Sequence, residues 1–163
     1  MHIRRATADD MDFLWEMLYL SVFVPVGSPP LSKKEVLDAP DINLYLTNWG
    51  RSGDVAFIVE ENAELFGAAW MRMFTNHEHG YGYVDDRTPE IIMAVLSSHR
   101  NQGIGSSLMS SILKYATDQK YRQVSLSVDP ANKALNLYER FGFAKIGECD
   151  TSWTMLKTLY DCM

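Results

Sequence analysis

The sequence predicts one domain of mixed α/β structure, with strands and amphipathic helices alternating along the chain. Its 163 residues are typical of a single domain. An apolar fraction of 47% with 22% charged residues indicates a globular chain that buries a core. Short apolar or alternating runs, typical of strands, are interleaved with segments whose apolar residues recur at helical spacing. The expected order over residues 1–163 is strand, helix, an optional helical region, three strands, helix, strand, helix and two strands.

The N-terminal elements follow from a helix start signal and a group of helix breakers. A short strand is predicted over residues 3–6. Thr7 is suited to cap a helix over about residues 8–22, with Asp10 near the positive end of the helix dipole. Prolines and glycines within residues 25–30 end this helix.

The middle of the chain combines weak helical signals with a clear hairpin signal. Residues 31–37 and 42–49 favour two short helices. Residues 55–59 and 65–74 are apolar runs joined by a polar turn, which predicts two buried antiparallel strands. Residues 76–89, rich in His, Gly, Tyr and Asp, are expected to form a loop.

The C-terminal part alternates strands with helices. The apolar run at residues 91–96 predicts a central strand that is buried on both faces. Apolar residues recur at helical spacing over residues 104–119, and alternation over residues 124–128 predicts a half-buried strand. Another helix is expected between Pro130 and Gly142. The last two strands are predicted over residues 143–146 and 153–159.

Charge and cysteine content exclude several classes of protein. The formal charge is −6, with a pI near 5.1, so binding to nucleic acid through bulk charge is disfavoured. The two cysteines offer neither a disulfide framework nor a Cys-x-x-Cys metal pair, which fits a reduced, cytoplasmic location. No apolar run is long enough to span a membrane, and the first residues lack the pattern of a signal peptide. We therefore expect neither a nucleic-acid partner nor a membrane partner.

A glycine-containing turn between the central strand and the next helix carries the strongest chemical signal. Here Arg100-x-x-Gly103-x-Gly105 opens the amphipathic helix. Glycines allow a ligand to approach the backbone closely, and the free N–H groups at a helix N-terminus bind phosphate. A tight turn that simply needs glycine would explain the same residues. A dinucleotide-binding fingerprint is not met, because its third glycine would fall at Leu108.

A second motif follows the next predicted strand and reads Asn132-x-Ala134-x-x-Leu137-Tyr138-x-x-x-Gly142-Phe143. In this order and separation, the two motifs resemble those of the GNAT superfamily of acyl-CoA-dependent N-acetyltransferases. The resemblance is strongest over residues 90–146, and residues 21–49 and 76–89 carry no signature of the family.

The resemblance implies both a fold and an activity. The fold is a twisted, mixed, mostly antiparallel sheet of about seven strands, splayed between the fourth and fifth strands and flanked by about four helices. The activity is transfer of an acetyl group from acetyl-CoA, as co-substrate, to a primary amine by direct attack in a ternary complex. The alternatives are a non-catalytic acyl-CoA-binding sensor and a protein that binds another phosphate ligand through residues 103–106.

The resemblance also assigns candidate cofactor contacts. Main-chain groups of Met93, Ala94 and Val95 would contact the pantetheine arm and the thioester carbonyl, with the Val95 N–H as oxyanion donor. Asn132 would contact the cofactor from the start of the following helix, and Tyr138 would protonate the departing thiolate. Core packing of Tyr138 and ladder pairing of Val95 are the structural alternatives. The residues that would hold the pyrophosphate are Arg100, Asn101, Gln102, Gly103, Ile104, Gly105 and Ser106.

The general base is the least defined part of the predicted site. Glu90, where the central strand begins, is the first candidate, because members of the family often use a carboxylate near this place through water. Asp85, Asp86, His77 and His79 are alternatives, as is a proton route through bulk solvent. No metal is expected, because the His77-x-His79 pair has no third ligand at a recognisable spacing.

The uneven charge distribution bears on the acceptor. Residues 1–98 carry a net charge of −8, whereas residues 99–163 carry +2. Since the loops of the acidic part would meet the acceptor, we expect a small-molecule or peptide amine that is cationic at neutral pH. Small amines, aminoglycosides, amino acids, polyamines and protein N-termini all stay open. A homodimer could form along the strand predicted at residues 153–159.

Overall fold

Seven strands form one mixed sheet in a computed structural model, which describes residues 1–24 and 26–160. The strands are β1 (His2–Arg5), β2 (Val55–Glu61), β3 (Glu64–Arg72), β4 (Glu90–Val95), β5 (Gln123–Val128), β6 (Ala144–Cys149) and β7 (Ser152–Thr158). The helices are α1 (Met11–Ser21), α2 (Lys33–Asp38), α3 (Pro40–Asn43), α4 (Ile104–Asp118) and α5 (Ala134–Arg140). The sheet order is β1-β2-β3-β4-β5-β7-β6, which confirms the predicted fold class.

The predicted helix at residues 42–49 is wrong, because α3 ends at Asn43 and residues 44–48 form turns. Here tertiary hydrogen bonds override local propensity. The Arg72 guanidinium reaches the carbonyls of Leu44 and Thr47 at 2.8 and 2.6 Å. Asn48 then adopts a φ of 57°, which a right-handed helix does not allow.

Two strands, β4 and β6, begin or end at other residues than predicted, because main-chain hydrogen bonding and not the apolar pattern sets their bounds. β4 begins at Glu90, one residue early, so this carboxylate lies inside the strand. β6 covers Ala144–Cys149 rather than residues 143–146, although nearly all its side chains are exposed. Antiparallel pairing with β7 holds β6 in place, and such pairing leaves no hydrophobic signal in an edge strand.

β4 and β5 form the one parallel pair of this sheet, and they diverge almost at once. Their register holds a single Cα pair, Glu90 with Ser125, within the described residues. By contrast, β4 pairs with β3 along the whole length of β4, and β5 does the same with β7. The sheet is therefore splayed between its fourth and fifth strands, as expected. We call the opening between residues 91–95 of β4 and residues 126–128 of β5 the β4–β5 groove.

β7 lies between β5 and β6 in the sheet, so both of its edges are paired. The expectation that this strand supplies a dimer edge is therefore wrong. The outer strands are β1 and β6. Homodimer formation itself stays a prediction.

The two faces of the sheet carry separate apolar cores. On one face, Ile91 and the β5 residues pack with buried residues of α4 and α5. On the other face, Ile92 and Ala94 pack with α1, Tyr45 and Trp70. Because side chains alternate along a strand, Glu90 projects to the same face as Ile92 and Ala94.

A buried ion pair ties the segment before β2 to this second face. Arg72 is fully buried, and its Nε and Nη2 donate to the two carboxylate oxygens of Asp54 at 3.0 and 2.9 Å. Asp54 Oδ2 also accepts the Gly50 and Arg51 N–H groups, each at 2.9 Å. Together with the two carbonyl contacts described above, this satisfies both members of the pair, as burial of charge requires.

A 3-10 turn over Ala8–Asp10 leads into α1, and the predicted capping residues stand at the start of this turn in a reciprocal arrangement. The Thr7 side chain accepts from the Asp9 N–H at 3.3 Å, while Asp10 Oδ2 accepts from the Thr7 N–H at 2.7 Å. The Arg4 guanidinium donates to both carboxylate oxygens of Asp10, from Nη1 at 2.8 Å and from Nη2 at 2.9 Å. This guanidinium contact lowers the pKa of Asp10 from 3.8 to about 2. The carboxylate therefore joins β1 to α1.

We predict that Asp10→Asn lowers the free energy of unfolding by about 2 kcal/mol at pH 7. Because the folded-state pKa is depressed, this stabilisation is present above pH 3.8 and is lost as the pH falls towards 2. Urea denaturation at pH 7, 4 and 3 measures the difference, with Asp9→Asn as the control, since Asp9 is exposed in the same turn. A deficit that is equal at all three pH values would contradict the ion-pair explanation.

Candidate active site

The first turn of α4 presents main-chain N–H groups that have no protein acceptor. Gly103, the N-cap, has a φ of 79°, a left-handed conformation that favours glycine. The first helical hydrogen bond runs from the Ser107 N–H to the Gly103 carbonyl at 3.1 Å. The N–H groups of residues 104–106 therefore precede it, and no side chain among the described residues caps them. No acidic residue lies in this turn, so the positive end of a 15-residue helix is open to an anion.

Gly105 brings this turn against two other elements. A Cβ atom at this position would lie 3.2 Å from Leu137 Cδ2 and 3.6 Å from Met93 Cε. The absence of a side chain thus lets α4 approach α5 and β4 together. The sequence motif needs glycine here for packing between elements, and at Gly103 for backbone conformation.

The edge of β4 that faces the groove carries unpaired main-chain groups. The Leu96 N–H donates to the Phe66 carbonyl of the β3 side at 2.8 Å, and the Ser125 N–H donates to the Pro89 carbonyl at 3.0 Å. By alternation, even-numbered residues of β4 pair with β3 and odd-numbered residues point towards β5. Beyond Glu90 the register gives β4 no partner in β5.

Because of this alternation, the main-chain groups of the three predicted contact residues, Met93, Ala94 and Val95, do not all point the same way. Met93 and Val95 direct their main-chain groups into the groove, and their contact with a cofactor stays a prediction. Ala94 stands opposite Ala68 in a hydrogen-bonded position of the β3–β4 ladder, so its main-chain groups are engaged. The prediction that Ala94 offers main-chain groups to a ligand is therefore wrong.

The remaining residues of the predicted phosphate loop lie at the surface beside the groove. Arg100, Asn101 and Gln102 are exposed, and Asn101 has a φ of 64°. Arg100 Nε donates to the Val95 carbonyl at 3.3 Å. A cationic side chain therefore stands where the β4 edge meets the start of α4.

Asn132 and Tyr138 occupy the ends of one short stretch around α5. Asn132 Oδ1 accepts from the Ala134 N–H at 2.9 Å, which stabilises the start of the helix. The Tyr138 side chain is buried beside Phe143, with their ring centroids 6.1 Å apart. Burial raises the pKa of Tyr138 to about 12, so the phenol holds its proton at neutral pH.

Glu90 is 1% exposed, and only one of its two carboxylate oxygens is satisfied. Oε2 accepts a hydrogen bond from the Tyr45 hydroxyl at 2.5 Å. Oε1 is buried and has no hydrogen-bond partner in the described part of the chain. Burial raises the pKa of Glu90 to about 7, against the opposing effects of the Tyr45 hydroxyl and the Gly82 amide. A carboxylate in this state can exchange a proton near neutral pH.

The four alternative bases differ from Glu90 in their surroundings. His77, His79, Asp85 and Asp86 are all exposed in the loop before β4. Asp85 Oδ1 accepts from the Arg87 N–H at 2.8 Å, and Asp86 accepts from the Tyr83 hydroxyl. Among the five candidates, Glu90 alone combines burial with a free oxygen.

Sequence reasoning missed the segment that covers Glu90, residues 80–82. Its Tyr81 N–H donates to the Tyr45 hydroxyl oxygen at 2.9 Å. The Ser125 and Thr154 hydroxyls hold the carbonyls of Gly82 and Tyr81 at 2.6 and 3.2 Å. The segment thereby bridges β4, β5 and β7 where the groove closes.

Both glycines of this segment are fixed by close approach. A Cβ on Gly80 would lie 2.0 Å from the Tyr45 hydroxyl oxygen, and one on Gly82 would lie 2.6 Å from the Leu126 carbonyl carbon. In the sequence, Gly-Tyr-Gly in a polar loop gives no sign of this contact. The buried Ser125 in an alternating strand was the one local hint, since a buried hydroxyl needs a partner.

The structure does not bring all the predicted residues together. Tyr138 belongs to the core on the α4 face, whereas Glu90 lies on the α1 face, so the predicted acid and base stand on opposite sides of the sheet. At about 3.3 Å per residue, the Cα atoms of Glu90 and Val95 are about 17 Å apart along β4. Direct contact between Glu90 and a group held at Val95 is therefore excluded, whereas a water-mediated path is compatible with this spacing.

Acidic side chains gather on the outer side of the 80–82 segment. The Tyr81 hydroxyl donates to Asp41, and Asp41 and Asp150 both raise the pKa of Tyr81, which is about 12. Within the described residues, no group of three or more His, Cys, Asp or Glu side chains could hold a metal ion. Cys149 is exposed and unpaired there, and Cys162 lies outside the described residues.

No helix in residues 1–24 and 26–160 is long and apolar enough to cross a membrane.

Comparison with known proteins gives a consistent family assignment. The sequence profile of the acetyltransferase (GNAT) family matches residues 17–143. N-acetyltransferase 8B of Homo sapiens is 37% identical over 57 residues, which cover 34% of this chain but only 25% of that protein. The match thus spans about a quarter of this curated relative.

Solved structures match over nearly the full chain. The crystal structure of an N-acetyltransferase from Staphylococcus aureus Mu50 has a TM-score of 0.71 at 20% identity and covers 98% of both chains. A ribosomal-protein-alanine N-acetyltransferase from Brucella melitensis has a TM-score of 0.67 at 18% identity and covers 97% of this chain and 99% of its own. At such identities the likeness shows a common fold.

We predict that Glu90→Gln stabilises the protein relative to wild type as the pH rises. The pKa of the folded wild type is raised from 4.5 to about 7, so the stability linked to protonated Glu90 is full below pH 4.5 and is lost as the pH rises through 7. The difference in unfolding free energy should shift by up to about 3 kcal/mol in favour of the variant between pH 4.5 and 8. Urea denaturation across this range measures it, with Glu64→Gln at an exposed position as control. Parallel pH curves for wild type and Glu90→Gln would show that Glu90 titrates normally.

Proposed function

The chain belongs to the acetyltransferase (GNAT) family, and from that premise we propose that it transfers the acetyl group of acetyl-CoA to a primary amine. The proposed reaction is direct attack in a ternary complex. One observation carries the proposal: the uncapped first turn of α4 lies beside the unpaired, groove-facing edge of β4. An extended ligand with an anionic end fits this combination. The N–H groups at the start of α4 can bind the anion, and the main-chain groups of the β4 edge can hydrogen-bond to the polar groups along the rest of the ligand.

The residues of the groove fit acetyl-CoA in chemical type. The N–H groups of residues 104–106, at the positive end of α4, would hold the pyrophosphate, and the Arg100 guanidinium would add a second source of positive charge. The main-chain groups of Met93 would pair with the amides of the pantetheine arm, as a neighbouring strand would. The Val95 carbonyl accepts from Arg100 Nε, and the Val95 N–H would face the thioester. Asn132 keeps its side-chain NH2 free for the cofactor after Oδ1 has capped α5.

Bound acetyl-CoA supplies an acetyl thioester, whose C–S bond breaks as the C–N bond to the amine forms. The Val95 N–H would stabilise negative charge on the carbonyl oxygen, and its orientation towards the groove without a strand partner supports this role. Glu90 Oε1 accepts the proton that leaves the ammonium group of the acceptor, through ordered water. Tyr138 stays neutral at its pKa of about 12 and donates the proton that the thiolate takes up, and the second proton lost by the attacking nitrogen returns to Tyr138 through solvent.

Acidic groups support an acceptor that carries positive charge. Residues 1–98 hold a net charge of −8, and Asp41 and Asp150 lie near Tyr81 on the outer side of the segment that covers Glu90. A cationic amine would be attracted to this side of the groove. The Brucella melitensis structure is named for an alanine of a ribosomal protein, so peptides with an N-terminal alanine belong among the acceptors to be tested.

A thiol-release assay with acetyl-CoA tests the function directly. We expect release of free CoA with at least one member of a panel of polyamines, aminoglycosides, amino acids and N-terminal peptides, with cationic acceptors preferred. Tyr138→Phe should lower turnover by roughly 100-fold and leave acetyl-CoA binding unchanged. Tyr115→Phe, on the distant β1–β2 side of α4, is the matched control.

Other outcomes would point elsewhere. Acetyl-CoA binding in calorimetry without turnover on any acceptor would favour the non-catalytic sensor. Heat with ATP or NAD and none with acetyl-CoA would overturn the proposal. Acetylation restricted to acidic acceptors would contradict the charge argument.

We predict that Ser106→Glu weakens acetyl-CoA binding by at least about tenfold, because it places a carboxylate where the pyrophosphate would lie. The same change leaves folding intact or stabilises it by about 0.5 kcal/mol, since Glu favours the first turn of a helix. Calorimetry measures the affinity and urea denaturation measures the stability. Ser110→Glu, exposed in the middle of α4, is the control. Equal affinities for the two variants would place the anion site away from this helix end.

A further inference from the structure

We propose that Tyr45 is a positioning residue for the transfer reaction: its hydroxyl holds Glu90 Oε2, so that Oε1 is the oxygen that accepts the proton from the amine. The inference rests on the proposed function and adds to it a residue far from both sequence motifs. Tyr45 lies in the turn after α3, 45 residues before Glu90. Its side chain is 5% exposed and belongs to the core of the α1 face.

Arg72 lies close to Glu90 in the sheet but does not form an ion pair with it. Arg72 stands directly opposite Glu90 in the β3–β4 register, so the two side chains project to the same face. A guanidinium at this place would normally pair with the carboxylate and keep it ionised. Here the Arg72 guanidinium donates its hydrogen bonds to Asp54 and to two main-chain carbonyls. Glu90 is left with neutral donors only, the Tyr45 hydroxyl and the Gly82 amide.

The direction of the Tyr45 hydrogen bond is fixed by its second partner. The Tyr81 N–H donates to the Tyr45 hydroxyl oxygen at 2.9 Å, and an amide N–H can only donate. The single hydroxyl proton of Tyr45 therefore goes to Glu90 Oε2. An oxygen that already receives a short hydrogen bond is the poorer proton acceptor, whereas Oε1 is buried and unpartnered within the described residues.

Packing prevents Tyr45 from leaving this position. Its ring meets Phe74 edge to face, with the centroids 5.5 Å apart. Gly80 covers the hydroxyl so closely that a Cβ there would lie 2.0 Å from it. The Tyr45 carbonyl accepts the Trp70 indole N–H at 3.3 Å, which fixes the main chain as well. The hydroxyl is thus preorganised, and no rotation is needed before proton transfer.

The charged and titratable groups around Glu90 are few. Tyr45 comes from the turn after α3, Arg72 from β3 with its partner Asp54, and Tyr81 from the covering segment. Arg72 and Asp54 neutralise each other, and Tyr45 and Tyr81 are phenols. During the reaction one proton passes from the ammonium group of the acceptor, through ordered water, to Oε1, which gives a neutral amine and a neutral carboxyl group. The transfer therefore leaves no charge on the buried carboxyl group of Glu90.

The test compares pH profiles of kcat for wild type, Tyr45→Phe and the matched control Tyr115→Phe. For wild type we expect kcat to rise with pH through a midpoint near 7, the pKa of Glu90. In Tyr45→Phe the midpoint should move up by roughly one unit, because the carboxylate loses its donor. Turnover at pH 7 should fall about fivefold, with the KM for acetyl-CoA unchanged. A profile that keeps its midpoint, with kcat lowered equally at all pH values, overturns the inference.

A second measurement separates positioning from damage to the fold. In the Glu90→Gln background, Tyr45→Phe should have no further effect on kcat, since Tyr45 acts through the carboxylate. The pH dependence of urea unfolding gives a readout without turnover: Tyr45→Phe should shift the Glu90-linked midpoint upwards there as well. Equal effects of Tyr45→Phe in both backgrounds would overturn the inference while the proposed function stands. If wild type transfers no acetyl group to any acceptor, the proposed function fails, and the inference fails with it.

Discussion

The buried ion pair between Arg72 and Asp54 is the interaction on which the α1 face of the site depends. It draws the carbonyls of residues 44 and 47 out of a helix and fixes the turn that carries Tyr45. It also removes the only guanidinium that lies in register with Glu90. A carboxylate beside a free arginine would stay ionised and would bind protons poorly. Because the cation is engaged elsewhere, burial can raise the pKa of Glu90 to about 7, where a general base for an ammonium group is most useful.

The groove combines two kinds of unsatisfied backbone that are costly in an ordinary domain. The first turn of α4 lacks a cap, and the groove-facing edge of β4 lacks a partner strand. Water satisfies such groups in the free protein, and a ligand with amides and phosphates satisfies them better. In the proposed function this backbone binds the anionic end of the ligand locally, through oriented N–H groups, and does not draw on the net charge of the chain. The net charge of −8 on residues 1–98 would then attract the cationic acceptor of the proposed reaction.

The sequence predicts the parts of the molecule that depend on local pattern. Hydrophobic periodicity finds α1, α4 and β5, and the two motifs locate the phosphate loop and Tyr138. It fails where long-range hydrogen bonds decide, as at residues 44–48, in the exposed edge strand β6 and at Ala94, whose main chain is engaged by β3. Tyr45 and the 80–82 segment are invisible for the same reason: each matters only because a residue more than 30 positions away lies against it. Glu90 could be proposed from its place in the sequence, but its burial and free oxygen could not.

The single pair between β4 and β5 has a mechanical consequence. The sheet consists of two hydrogen-bonded plates, β1–β4 and β5–β7, each contributed by an unbroken stretch of chain. Within each plate, displacing one strand breaks a full ladder, whereas displacing one plate against the other breaks the Glu90–Ser125 pair and the hydroxyl clamps on residues 81 and 82. The boundary between β4 and β5 therefore has fewer paired residues than the other strand boundaries of the described sheet. The two plates are held together mainly by the core of the α4 face, which includes Ile91 of one plate and Leu126 of the other, so any movement that widens the groove must also shift this core.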